Sequence, residues 1–253
     1  MTMILAAPAY GQLASQNASG VSLGHIHLYV QDVPAQQTFW TTMMGGVPVA
    51  NGRLEMIQFP GVFILLRKAE TPGGPEGSIV NHFGLAWKDL PAALAKWKAA
   101  GLKIEQGENP NQGFVNAPDG IRVEFMGDPA LKTPVAINHI HFFPQDIAAM
   151  QAWYVKVLGG VPGKRGGIDS VEVPGVNLLF SLGQTKLLPT AGRSLEHIGF
   201  DVKNLPDFLA RLETMGIKPD EPIRPSQFSP KLRVSFISDP WGTKMEITEG
   251  IAP

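Results

Sequence analysis

Apolar and polar positions alternate in short runs along much of this chain, and helical spacing interrupts them at regular intervals. His25-Ile26-His27-Leu28-Tyr29-Val30 has the period of two expected of a β-strand with one buried face. Asp32 follows where a helix N-cap belongs, and Pro34 sits near the first helical position, where a missing N–H costs nothing. The same succession of strand run, Asp or Asn, and Pro returns at His82, Asp89 and Pro91, and at His197, Asn204 and Pro206. Helices are predicted over Ala92–Ala100 and Asp207–Met215. They stop at Gly101 and Gly216, as others do at Gly45 and Gly159, all residues suited to a left-handed C-terminal cap. Strand-like runs at Leu54–Phe59, Val62–Leu66, Gly113–Asn116 and Ile121–Phe125 complete the pattern, which reads β-α-β-β-β.

The pattern is a repeat within a repeat. His25-Ile26-His27 through Gly45-Gly46-Val47-Pro48 recurs as His139-Ile140-His141 through Gly159-Gly160-Val161-Pro162. His82, Gly84, Lys88, Leu90 and Pro91 match His197, Gly199, Lys203, Leu205 and Pro206, and Gly120 and Glu124 match Gly242 and Glu246. Each half is itself double, so one unit of about a quarter of the chain is used four times.

Composition narrows the chemistry. The 253 residues suffice for one large or two ordinary domains. A net charge of -1 supplies no global pull toward nucleic acid or an anionic membrane, and no apolar stretch is long enough to span a bilayer. Cysteine is absent, which excludes disulfides, thiolate metal sites and cysteine nucleophiles. Met1–Gln12 is small and apolar, and Ala7-Pro8-Ala9 resembles a signal-peptidase site, but the positive charge of a secretory leader is missing. Two readings stand side by side: a terminal tail on a cytoplasmic protein, or the remnant of a signal peptide on an exported, periplasmic one.

Four βαβββ units in two pairs resemble the vicinal-oxygen-chelate superfamily of glyoxalases, bleomycin-resistance proteins and extradiol dioxygenases, over about residues 22–250. The resemblance implies an α+β fold: four βαβββ modules forming two cup-shaped, glyoxalase-like domains, at 22–128 and 136–250, behind an N-terminal segment 1–21. It also implies metal ligands at the first His of each unit's opening strand and the Glu of the closing strand. Those are His25, His82 and Glu124, then His139, His197 and Glu246. Two imidazoles and a carboxylate suit a divalent ion (Fe, Mn, Zn, Co or Ni) and leave positions open for a chelating substrate. His27 and His141, two residues on and facing the same way, are candidates for a general base or for support of the ligands.

Two functions are compatible with this reading. One is a metal-dependent lyase, isomerase or dioxygenase that binds a small oxygenated substrate bidentately. The other is a non-catalytic binding or resistance protein of the bleomycin-resistance type. The expected partner is a small molecule, with no nucleic acid or membrane, and the chain is expected as a monomer or homodimer. The strand where glyoxalase I adds a fourth ligand reads Phe63-Ile64-Leu65-Leu66 here, and Asn177-Leu178-Leu179-Phe180 in the copy. Phe236 and Phe114 stand where extradiol dioxygenases carry a Tyr. Of the basic residues that a phosphonate-binding relative would need, Arg53, Arg67, Lys68, Arg165 and Arg193 are available. The short, Pro-containing linker Gly127–Ala136 favours ligands pairing within each half, His25 with His82 and Glu124, and His139 with His197 and Glu246; the alternative is an exchanged arrangement, in which His25 joins His197 and Glu246, and His139 joins His82 and Glu124.

Overall fold

A computed structural model describes residues 13–107, 109–183 and 187–253. The signal-like segment Met1–Gln12 lies outside the described residues. Four units follow one another. The first comprises β1 (Val21–Val30), α1 (Val33–Thr38), β2 (Val47–Asn51), β3 (Leu54–Phe59) and β4 (Val62–Lys68). The second comprises β5 (Val80–Trp87), α2 (Leu90–Ala99), β6 (Ile104–Gln106), β7 (Gln112–Asn116) and β8 (Arg122–Gly127). The third comprises β9 (Val135–Phe142), α3 (Ile147–Leu158), β10 (Val161–Arg165), β11 (Ile168–Val173) and β12 (Val176–Phe180). The fourth comprises β13 (Leu195–Val202), α4 (Leu205–Thr214), β14 (Glu221–Pro225), β15 (Arg233–Ser238) and β16 (Lys244–Glu249).

Local chemistry accounts for the helix boundaries. Asp32, Asp89, Asp146 and Asn204 each accept a hydrogen bond from the backbone N–H three residues on, which satisfies a donor the first turn leaves free. Gly45, Gly101, Gly159 and Gly216 take positive φ, as a left-handed cap requires. After α1 the helix widens into a π turn over Phe39–Met43. Asn17, just before β1, donates its side-chain amide to the carbonyls of Leu158 and Gly159 at the end of α3, so this part of the N-terminal segment is docked on the third unit.

The strands form two eight-stranded sheets, in the orders β14-β15-β16-β13-β1-β4-β3-β2 and β10-β11-β12-β9-β5-β8-β7-β6. Each sheet therefore joins units from different halves. Unit one pairs with unit four through antiparallel β1 and β13, and unit two pairs with unit three through antiparallel β5 and β9. This corrects the expectation of pairing within halves. Unit two does pair with a sequence neighbour, but that neighbour is unit three, across the short linker. Loop entropy discriminates weakly: closing a loop about three times longer costs only about 1 kcal/mol more, which side-chain packing easily outweighs.

Alternation sorts the two faces of each central strand. Ile26, Leu28 and Val30 of β1 point into a large core that also holds Phe83 and Leu85 of β5, Ile140 and Phe142 of β9, and Ile198 and Phe200 of β13. Trp40, in the π turn, stacks on Phe83 with ring centroids 5.8 Å apart and ties the first helix to the second sheet. The histidines face the other way, into the two cups.

Candidate metal centre

The sheet pairing brings His25, His197 and Glu246 together in the first cup, and His82, His139 and Glu124 in the second. All six expected ligands thus enter His-His-Glu clusters, in the exchanged combination. In the first cup, His25 Nε2 lies 3.2 Å from His197 Nε2 and 3.1 Å from Glu246 Oε2, and His197 Nε2 lies 2.9 Å from the same oxygen. In the second, His82 Nε2 lies 3.3 Å from His139 Nε2 and 2.8 Å from Glu124 Oε2, and His139 Nε2 lies 3.0 Å from that oxygen. Ligand atoms about 2.1 Å from a common centre, at angles between a right angle and the tetrahedral one, stand about 3.0–3.4 Å apart. Both triangles are close to that size, so the residues fit a divalent ion. His27 and His141 complete four-residue groups: His27 Nδ1 is 3.2 Å from His197 Nε2, whereas His141 Nε2 is bonded to Ser181 Oγ at 2.8 Å.

Two backbone features aim the rings. First, Gly199 and Gly84 lie directly across the ladder from His25 and His139. A Cβ on Gly199 would come within 2.0 Å of His25 Cε1 and Nδ1, and one on Gly84 within 2.3 Å of His139 Cε1. The imidazoles lie over the neighbouring strand in space that only glycine leaves open. Second, the residue before each of these four clustered histidines is the extra residue of a β-bulge. The register skips Gly24, Asn81, Asn138 and Glu196 in turn. A bulge re-aims a side chain out of strict alternation. Asn81 Oδ1 accordingly meets His82 Nδ1 at 2.8 Å, Asn138 Oδ1 meets His139 Nδ1 at 3.1 Å, and the Glu196 carboxylate meets His197 Nδ1. Gly24 has no side chain to offer, and His25 Nδ1 is a buried nitrogen without a partner among the described residues. Acceptors behind the ring fix the tautomer that leaves Nε2 free to coordinate.

The two cups differ in their supporting charges. In the first, Lys244 Nζ bonds Glu196 at 2.7 Å and lies over the Phe236 ring at 4.8 Å. Arg122 takes the same register position in the second cup, 3.4 Å from Asn81 Oδ1 and 3.6 Å above the Phe114 ring. Phe236 and Phe114 stand edge-on to His197 and His82, with centroids 5.5 and 5.0 Å apart. Gln112 in the second cup donates to the other oxygen of Glu124; Val234 holds the matching position in the first. The first cluster opens on a cavity of about 480 Å³ lined by His27, Tyr29, Leu65, Phe236 and several charged groups.

Electrostatics follow the packing. Burial alone would raise Glu246 and Glu124, but hydrogen bonds from their two histidines outweigh it and hold both carboxyls well below the ordinary range. Burial lowers His25, His82 and His27, and brings His141 down to about 3. His197 runs opposite: burial lowers it, yet the flanking Glu196 and Glu246 carboxylates prevail and raise it.

A family model described as the Glyoxalase/Bleomycin resistance protein/Dioxygenase superfamily matches residues 22–125 and 136–247. The chain belongs to this superfamily. Its fold is that of glyoxalase I from Zea mays, at 14% identity and a TM-score of 0.71, with 90% of this chain and 92% of that chain covered. A putative dioxygenase from Bacillus subtilis is similar at 12% identity and a TM-score of 0.66, covering 94% of this chain and 86% of that one. No curated protein matches the sequence. No helix among the described residues is long and apolar enough to cross a membrane.

Sequence reading missed the second layer of the site: Glu196, Lys244, Asn81, Asn138, Ser181 and Gln112. A signal was present, since a polar residue precedes three of the four ligand histidines. On a regular strand that residue faces away from its neighbour, so the signal has meaning only once the bulges are known.

Proposed function

We propose that this superfamily member is a divalent-metal enzyme that binds a small oxygenated molecule through two of its oxygens at the first cup. The carrying observation is the buried triangle of two imidazole nitrogens and one carboxylate oxygen, with the spacing of a coordination shell and an adjoining cavity. A divalent ion there supplies a Lewis acid that polarises the bound oxygens. His25, His197 and Glu246 would hold it, and Glu196 with Lys244 behind His197 would keep that ring in the coordinating tautomer. His27 faces the cavity beside His197. Its second ring nitrogen is placed to take a proton from the substrate. In the second cup His82, His139 and Glu124 would hold a second ion, with His141 engaged by Ser181.

The test is elemental analysis of the full chain, purified anaerobically without chelator and then reconstituted with Fe, Mn, Co, Ni or Zn. Up to two ions per chain are expected from the two clusters. Absence of bound metal after reconstitution refutes the reading and leaves a small-molecule binding protein.

A further inference from the structure

The two clusters share a plan but differ in what stands behind their imidazoles. In the second cup every ring has an acceptor at one nitrogen: Asn81 Oδ1 for His82, Asn138 Oδ1 for His139, and Ser181 Oγ for His141. Gln112 engages the other oxygen of Glu124. In the first cup, among the described residues, only His197 is backed in this way, by Glu196. His25 Nδ1 is buried without a partner, and His27 spends its Nδ1 on His197 itself, with no acceptor for its other nitrogen. A ligating imidazole almost always donates its other N–H to an acceptor, which fixes the ring and raises its basicity. The second cup therefore offers three supported imidazoles where the first offers one.

Burial separates the cups in the same direction. His82, Glu124, His139 and His141 are all buried, whereas His27 and Glu246 are half-buried against the cavity. Each of the four buried residues places one ligand atom within 4.8 Å of the other three. Ligand atoms opposite one another across an ion stand about 4.2 Å apart, twice a bond of about 2.1 Å. A small turn of the His141 ring therefore brings it to the ion that fits the other three. The strand register explains why only this cup ties its extra histidine. Ser181 follows Phe180, which lies beside Phe142, and its hydroxyl falls next to His141. The repeat puts Arg67 at that place in the first cup, where it lies over the Tyr29 ring and leaves His27 untied.

We propose that the second cup is a closed four-ligand metal site, in which His141 joins His82, His139 and Glu124, and that its ion is structural and held more tightly than the exchangeable ion of the first cup. This rests on the metal-site reading above. Three imidazoles and one carboxylate with no open position suit Zn(II), the ion of closed tetrahedral sites. Binding energy at such a site is folding energy. A chelating substrate needs open positions, so the first cup alone serves it. Ser181 acts as a positioning residue: its oxygen accepts the Nε2 proton of His141 and leaves Nδ1 to coordinate.

The test reconstitutes the full chain with Zn(II) and counts the metal left after challenge with a graded series of competing chelator. Removal in two steps is expected, with the second ion held at least about tenfold more tightly than the first. Glu246→Gln should abolish the weak step and spare the tight one. Ser181→Ala should loosen the tight ion about 10–100-fold, and His141→Ala at least as much, with the weak ion unmoved in both. Cobalt supplies a spectroscopic readout. In Glu246→Gln loaded with Co(II), the intense ligand-field bands of a four-coordinate ion should appear, fade when His141→Ala is added, and return with free imidazole. Ser181→Ala carries the same test if His141→Ala does not fold. A tight ion unmoved by these substitutions, bands that persist without His141, or a tight step lost in Glu246→Gln and kept in Glu124→Gln overturns the closed site and leaves the metal reading standing. A chain that holds no metal after reconstitution overturns both.

Discussion

Replacing Gly199 with Ala tests the site's architecture at a residue that touches no ligand atom by function. The methyl group would sit 2.0 Å from His25 Cε1 and Nδ1, far inside any contact a real Cβ makes. His25 is fully buried, so its ring cannot swing into solvent. Either the ring tilts, withdrawing Nε2 from His197 and Glu246, or β13 moves away from β1. Overpacking of this kind costs about 1–3 kcal/mol of stability, which a melting curve will register as a modest shift. The effect on metal should be much larger. Loss of a supporting residue around a metal ligand already weakens binding about 10–100-fold, and displacing the ligand itself should reach at least the upper end. Titration against a competing chelator is the assay, with Gly84→Ala as its mirror, since that methyl would meet His139 at 2.3 Å. Each variant should keep one tight ion and lose the other. Two tight ions in Gly199→Ala would refute both the steric reading and the assignment of His25 to a site.

Three further outcomes are expected. Glu246→Gln should weaken the site that also depends on His25 and His197 while sparing the site of His82 and His139, with Glu124→Gln reversed; double substitutions read by metal stoichiometry check the exchanged pairing. Burial, reinforced by nearby Glu249, raises the Asp201 carboxyl to about 6 despite hydrogen bonds from Ile251 and Thr248. A raised acid favours the protonated fold, so stability declines as pH climbs from the unfolded value near 4 through 6. Asp201→Asn should therefore match the wild type near pH 4 and exceed it above pH 7 by up to about 3 kcal/mol, measured by denaturant unfolding at both pH values. Simple catechol should not be ring-opened with Fe(II), because Phe236 and Phe114 present ring edges to His197 and His82; appearance of a yellow fission product would show that a hydroxyl is dispensable there.

Most of the fold was legible because its determinants are local. Caps at Asp32, Asp89, Asp146 and Asn204, stops at the glycines, and alternation along His25–Val30 depend on residues a few positions apart, and so does the repeat. β2, β6, β10 and β14 escaped notice as short strands at the sheet edges, where little burial imposes a pattern: β10 is exposed throughout. The six residues of the His-His-Glu clusters were visible, but their grouping was not. All four opening strands carry a histidine at the same place, and which one meets which is decided by contacts across the sheet. Gly84 and Gly199 illustrate the limit. They stood out as repeat matches, yet their reason appears only when His139 and His25 lie over them.

The exchanged pairing also orders events in time. The second cup is built wholly from residues 80–180, whereas the first needs β1–β4 from before that stretch and β13–β16 from after it. On a ribosome adding about 5–20 residues per second, the inner cup can close while the opening unit waits some ten to thirty seconds for its partner strand. Throughout that wait the β13-facing edge of β1 is an unpaired strand edge, the kind of surface that recruits wrong partners. His25 on it meets His197 and Glu246 last, so the cluster that faces the cavity is the final part of the molecule to be assembled.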